Sequence, residues 1–501
     1  MSKGARSGLL LGLAVLFAFG TWLAWSFVID DAFITFRYSR HLAEGFGPVW
    51  NVGGDAVEGF TNFAWMLWHG LFASFGAENL VTVAKVTSVV LGGATLVLLV
   101  RATDGVGAVV AGLAFVLFLP TYFHVNSGLE TVAFAGVLLR LVIVALHVID
   151  EERVFDWEPP LLLLLLAMLR PEGLLAGLPA LAVWFWYSRR IPTARWGLGA
   201  LLVVGAGYFL WRWIYYGQLL PNTFYVKFGD LAASSEWAGR TALALAPLLV
   251  LTLALLVVKG LWFKGALLSL TVVATYAPYA VSGLTMDYLH RFAYHAFPVL
   301  CLGAGIVVAA IGHRLASAAV GAVAVGWVAV TGAIAQGLPT IANYGVDLQR
   351  AHVAIGQGLA EAGLPEEART LAVSDAGAIP YYSDWRSIDY IGLNDEAIAH
   401  GADPTTVVGK ARPTVVIVTS YRPDIPGEMY GLDVRAATAG YQLVARIQMR
   451  EDYWQNVFVL PQWAPQVSTA VTASTDAARL TYDQGRYELT VDRWLDRVSG
   501  R

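Results

Sequence analysis

Residues 8–45 read GLLLGLAVLFAFGTWLAWSFV and then IDDAFITFRYSRHLAEG. The uncharged first part is long enough to cross a bilayer as a helix. No small-residue cleavage site precedes Asp30, so this segment is expected to stay as a first span rather than leave as a signal peptide. Two adjacent carboxylates, Asp30 and Asp31, follow at once. One of them could cap the free N–H groups of the next helix. A second is not needed for that. Neighbouring like charges disfavour joint ionisation and can raise one pKa, and a carboxylate able to take a proton is what a general base requires. Arg37, Arg40, His41 and Glu44 then recur at helical spacing, with Phe33 and Phe36 apolar and Gly45 as the stop. The pattern predicts an amphipathic helix along the membrane surface. Its cations would sit at headgroup level, holding lipid headgroups in general or a lipid phosphate beside the acidic pair.

The rest of the chain repeats the apolar theme. Of 501 residues, 57% are hydrophobic and 14% charged, against roughly 25% charged in a soluble domain. Mean hydropathy is +0.58. A net charge of −4 leaves no basic footprint for nucleic acid. The single cysteine, Cys301, excludes an intrachain disulfide and a thiolate metal cage. Residues 337–501 hold 34 of the 70 charged residues. A membrane domain over 1–336 followed by a soluble domain over 337–501 is therefore expected.

Apolar runs lie near 8–28, 80–100, 107–122, 128–149, 160–169, 174–188, 197–216, 241–258, 265–283, 294–312 and 315–336, about eleven spans. The pair 160–169 and 174–188 could instead be one helix kinked at Arg170-Pro171. Segment 61–76 is expected in the membrane interface or re-entering it. Lys3, Arg6, Arg101, Arg189, Arg190, Arg195, Lys259, Lys264 and Arg314 fall on one side if the N-terminus is cytoplasmic, which puts the soluble domain outside. Beta-type runs at 370–373, 415–420, 441–446 and 456–460, with helical stretches at 347–363 and 394–400, give that domain a mixed α/β character.

The outer loops then collect the unusual polar residues. Glu58 and Asn62 are sugar ligands or solvated loop residues. Glu130 opens a span, where capping explains it. Arg170 and Glu172 form an ion pair at a hairpin tip, structural or functional. The aromatic loop 215–227 ends in Lys227, and an interface belt explains its tyrosines. Asp287, His290, Arg291 and His295 form a polar cluster whose spacing loosely permits a metal, without a carboxylate frame or cysteines to support one. No phosphate loop, zincin motif or nucleophile elbow occurs, so an ATP-driven pump and a serine hydrolase lose support.

Several stretches together resemble the GT-C membrane glycosyltransferases, in particular the subgroup of mycobacterial terminal arabinofuranosyltransferases. They are Asp30-Asp31-Ala32-Phe33-Ile34-Thr35-Phe36-Arg37-Tyr38, Glu58-Gly59-Phe60-Thr61-Asn62-Phe63, Ser127-Gly128-Leu129-Glu130-Thr131 and Leu169-Arg170-Pro171-Glu172-Gly173. Pro221-Asn222-Thr223-Phe224-Tyr225-x-Lys227, Arg291-Phe292 and Asp375-Ala376-Gly377-Ala378-Ile379-Pro380-Tyr381-Tyr382 complete the set. The resemblance implies a polytopic α-helical, GT-C-like membrane protein with a C-terminal extracytoplasmic mixed α/β domain. It also implies an inverting transfer of a sugar, arabinofuranose in that subgroup, from a polyprenyl-phosphate donor to a hydroxyl of an envelope glycan or glycoconjugate. Asp30 or Asp31 would be the base. Arg37, Arg170, Lys227 and Arg291 would be the candidate phosphate contacts. Glu58, Asn62, Glu130, Glu172, Asn222, Tyr225, Asp375 and Tyr381 would be candidate sugar or acceptor contacts. No cofactor is required on this reading, with assistance by a divalent cation a minor alternative. The expected partners are the lipid-linked donor, the glycan acceptor and membrane lipid, not nucleic acid. The expected setting is a bacterial cytoplasmic membrane, with the N-terminus cytoplasmic and the soluble domain periplasmic.

Two other classes compete. A transporter or flippase of lipid-linked sugars would show repeated halves with ionisable groups near mid-membrane, and no internal repeat is visible here. A structural scaffold leaves the acidic pair unexplained.

Overall fold

The computed structural model describes residues 1–152, 154–227, 231–280 and 286–499, and within them the side chains other than those of 227 and 231–234. The chain is a multi-pass helical membrane protein with a mixed-sheet domain at its C-terminal end. Among the described residues, five helices are long and apolar enough to cross a bilayer: Lys3–Leu23, Leu80–Ala102, Thr131–Ile149, Pro192–Tyr216 and Arg314–Ala333. Three bent pairs bring that number up to eight, and the three remaining expected runs also fall on helices, Glu158–Leu169, Gly173–Ser188 and Trp262–Tyr276. The bends measure 64° before Pro120–Asn126, 78° before Ala246–Ala254 and 65° before Phe297–Ala310. Each following helix carries proline in its first two positions, where the missing N–H is harmless but the preceding turn cannot continue.

Glu158–Leu169 and Gly173–Ser188 are shorter apolar helices. They form an antiparallel hairpin rather than one kinked helix: Gly173 lies against Leu166, and Gly177 against Leu163. Thr131–Ile149 runs through the centre and is mostly buried, whereas Pro192–Tyr216 is almost wholly exposed along its apolar surface. Between Gly105–Leu117 and Phe297–Ala310 the backbones approach so closely that a Cβ on Gly107 would stand 2.2 Å from the Gly305 carbonyl oxygen. Small residues bring helices together in this way where lipid removes the hydrophobic drive.

At one end of the bundle, ion pairs that match a base with an acid tie helix ends together. Arg6 pairs with Asp104 at 3.1 Å and Lys264 with Asp150 at 2.6 Å. At the other end the loops meet the soluble domain. Its five strands run in the order Arg386–Asp389, Thr370–Val373, Val415–Ser420, Tyr453–Val459, Gln442–Arg450. The first three are parallel and the last two antiparallel to their neighbours. The edge strand Arg386–Asp389 is an addition to the four expected runs; its four residues carry three polar side chains and no apolar run. The expected helix 347–363 is Leu338–Leu348 and Ala354–Glu361 joined by a π-helical turn, Gln349–Val353.

The helix Asp31–Ala43 departs from expectation. It does not lie on a membrane surface: Ala32 to Ser39 and His41 are all buried. It is packed between helix Phe63–Ser74 and the soluble-domain helix Ala378–Ser383. Helix Phe63–Ser74 instead keeps Leu67, Trp68, Leu71 and Phe72 exposed, as an interfacial segment does.

Candidate active site

Asp30 and Asp31 part company on folding. Asp30 makes no side-chain bond to its own helix. Its carboxylate accepts from Gly377 N at 3.1 Å and Ala378 N at 2.9 Å, so it caps the start of the soluble-domain helix Ala378–Ser383. It also meets His352 Nδ1 at 3.2 Å, in the π-helical turn. Capping is the right chemistry on a helix nearly 350 residues away. His352 reaches on towards Asp375, Nε2 to Oδ2 3.8 Å, and lies 3.1 Å from Gln455 Nε2. Burial disfavours its charged form, but the Asp30 charge and hydrogen bond, with Asp375, hold the pKa above the usual histidine value. Asp30 is thus a docking residue, not a cavity carboxylate.

Asp31 lines a cavity of about 420 Å³ together with Thr35, Asn62, Glu130, Arg170, Glu172, Tyr279 and Arg291. Leu175, Leu220, Phe224, Met286 and Phe292 supply an apolar side. The soluble domain contributes Leu393. Asp31, Ile34 and Thr35 share one helical face, which is why all three reach it.

Glu130 organises the polar wall. It accepts from Arg170 Nη1 at 2.7 Å and Asn62 Nδ2 at 2.8 Å, and lies 3.4 Å from Arg291 Nη2. It makes no capping bond to its own helix. Burial would raise its pKa, yet Arg170, Arg291 and Asn62 outweigh that and hold it below the usual carboxylate range. Arg170 also donates to Glu172, which accepts from the Tyr279 hydroxyl at 2.8 Å. Arg291 is delivered by two consecutive residues in left-handed conformation, Leu289 (φ 46°) and His290 (φ 60°). Such geometry costs of order 1–3 kcal/mol per residue and clusters at functional sites. His295 Nδ1 meets Tyr279 at 2.7 Å and Asp287 accepts from Phe292 N. Among the described residues no three His, Cys, Asp or Glu side chains converge as metal ligands would.

The remaining expected site residues lie elsewhere. Arg37 is buried and its donors reach Trp50 O at 2.8 Å, Trp385 O at 2.9 Å and Pro380 O. Burial lowers its pKa to about 10, so it stays charged as a staple between loop and soluble domain rather than a phosphate contact. Glu58 is locked to Arg212, Oε1 to Nε 2.9 Å and Oε2 to Nη2 2.6 Å. Asn222 Nδ2 donates to the carbonyls of Gly392, Leu393 and Asp395 at 2.7–3.2 Å. Tyr225 packs against His400 with tilted rings, 4.5 Å between centroids. Asp375 accepts from Thr419 Oγ1 and Tyr453 OH, each at 2.7 Å. Tyr381 packs on Phe33 and under Arg40. None of these six side chains lines the cavity. The Lys227 side chain lies outside the described residues. Sequence reasoning missed Thr35, Tyr279, Leu393 and His352; only Thr35 was signalled, by its i+4 relation to Asp31.

This arrangement, a polytopic bundle with its polar cavity under a mixed-sheet domain, is a fold shared with solved membrane glycosyltransferase structures of the GT-C type. The crystal structure of ArnT from Cupriavidus metallidurans bound to undecaprenyl phosphate superposes with a TM-score of 0.58 at 15% identity, covering 91% of this chain and 98% of that one. The apo ArnT structure gives 0.60 at 13% identity, covering 93% and 99%. The cryo-EM structure of the arabinofuranosyltransferase AftD from mycobacteria gives 0.51 at 14%, covering 92% of this chain and 40% of that one. In sequence, the chain is 30% identical over 250 residues to the terminal β-(1→2)-arabinofuranosyltransferase of Mycobacterium tuberculosis H37Rv. That match covers 45% of this chain and only 38% of the length of the relative. Residues 341–458 match a family described as a domain of unknown function, DUF8728.

Proposed function

We propose that the protein is an inverting GT-C glycosyltransferase. It moves a sugar from a polyprenyl-phosphate donor to a hydroxyl of an envelope glycan or glycoconjugate on the outer face of a bacterial cytoplasmic membrane. The observation that carries this reading is one cavity holding Asp31 beside Arg170 and Arg291. Asp31 accepts the proton of the acceptor hydroxyl as its oxygen bonds to the anomeric carbon. The bond from that carbon to the phosphate oxygen breaks on the opposite side. Charge developing on the leaving polyprenyl phosphate is met by guanidinium groups already fixed in place, which need no reorganisation. Glu130 and Glu172 hold those cations, and the apolar wall suits the start of a prenyl chain. ArnT's structure with undecaprenyl phosphate supports this donor class. The curated relative makes arabinofuranose the first sugar to test. The Lys and Arg residues near the ends of the spans, Lys3, Arg6, Arg101, Lys259, Lys264 and Arg314 among them, support an outward-facing cavity. Residues 1–336 then form the transfer domain, with residues 337–501 as its periplasmic partner.

The test is transfer by purified protein offered polyprenyl-phosphate pentoses and hexoses with mixed glycan acceptors, with and without chelator. Product from one donor, lowered by at least about 100-fold in Asp31→Asn with donor binding retained, is the expected result. Product that persists with chelator assigns the chemistry to the chain's own residues. Donor moved across vesicles without product would identify a transporter instead.

A further inference from the structure

The last described helix, Arg486–Ser499, has no buried residue. Val491, Trp494, Leu495 and Val498 fall on one helical face, which continues from Tyr487 where that ring packs on Phe123. Trp494 is 60% exposed, Leu495 49% and Val498 67%. The helix starts where two spans stop. Arg486 Nη1 donates to Trp22 O at 2.9 Å, and its guanidinium sits 4.4 Å over the Trp22 ring. Trp22 stacks with exposed Phe19 at the end of helix Lys3–Leu23, the usual level of an aromatic belt. Gly485 N donates to Asn343 Oδ1 at 2.6 Å, in the helix that follows the last span. The polar face carries Arg486, Arg493 and Arg497 against Glu488, Asp492 and Asp496, with no net charge.

We infer that Arg486–Ser499 is an interfacial helix whose apolar face lies in the headgroup–acyl boundary of the bilayer, held by apolar contact and not by anionic lipid. Continuity with the membrane surface at Trp22 favours lipid over a protein partner. An amphipathic helix of about 21 Å with a tryptophan on its apolar face suits that depth. The balanced polar face removes the electrostatic attraction that polybasic helices depend on.

Full-length protein in phosphatidylcholine vesicles tests this. The chain's one cysteine, Cys301, is buried, so unmutated protein reports background labelling. Leu495→Cys and Val498→Cys place a polarity-sensitive dye on the apolar face, and Arg493→Cys and Asp496→Cys place it on the polar face. The expected result is about fivefold weaker iodide quenching on the apolar face, with quenching there by spin-labelled lipid. The contrast should be unchanged by adding phosphatidylglycerol. In a Trp494→Glu background the Leu495→Cys dye should become open to iodide. Equal iodide access at all four sites overturns the inference. So does protection that needs phosphatidylglycerol, or protection lost when vesicles hold a single copy, which would assign the face to a second chain.

Discussion

Asp30 and Asp31 are identical in chemistry and adjacent in sequence, yet one docks a domain and the other lines the cavity. Two variants separate these roles. Asp30→Asn leaves one acceptor oxygen where two now serve Gly377 and Ala378, and it removes the charge that faces His352. Its activity loss should therefore come with a lower melting temperature, read by differential scanning fluorimetry in detergent, whereas Asp31→Asn should lose transfer while the donor still binds. Arg291 touches Glu130 and Thr131 only at 3.4 Å, unlike Arg170, which is held closely by two carboxylates. Arg291→Gln should raise the KM for donor about tenfold, or about 1.4 kcal/mol, and spare stability. Arg170→Gln should unfold the site, because buried Glu130 and half-buried Glu172 both lose their closest cation. The polar residue types at the site were readable, since ionisable groups at span ends are few. Which of two neighbours faces the cavity was not, because helical phase shows which positions share a face, not what that face meets.

At the level of elements, the docking surface is built from exact backbone approaches. A Cβ on Gly377 would stand 2.1 Å from Asp30 O, and one on Gly59 1.8 Å from Asn394 Oδ1. Gly377→Ala should therefore displace helix Ala378–Ser383 from the outer-loop helix, open both to limited proteolysis and abolish transfer; full activity with an unchanged digest would contradict this account. Loop 391–395 is clamped from within by Asp389 and from the membrane domain by Tyr38 and Asn222, which is how Leu393 comes to the cavity. Four strands of the main sheet were legible as short β-branched or aromatic runs, and the polar edge strand Arg386–Asp389 was not. The burial of helix Asp31–Ala43 was not: its arginines and histidine look like a solvated face until the carbonyls of Pro380, Tyr381 and Trp385 and the carboxylate of Asp384 are brought to them.

For the molecule as a whole, the two parts are joined by a titrating contact. A free histidine has a pKa of about 6.5, and that of His352 is higher in the folded protein. The contact therefore contributes fully below about pH 6.5 and is lost as pH rises through the folded value. Melting temperature should fall from pH 6 to pH 9, and His352→Gln should flatten that slope. The rise in charge past residue 336 points to a distinct C-terminal part, which is where the mixed sheet lies, but nothing in the order of residues announced that each part completes the other. That has a consequence in time. Asp30 leaves the ribosome 348 residues before Ala378, its hydrogen-bond donor. At synthesis rates of about 5–20 residues per second, roughly 20 to 70 seconds separate them. Throughout that interval the membrane part must present an unsealed cavity and an uncapped carboxylate, so a newly made chain is inert until its final third has emerged and settled onto it.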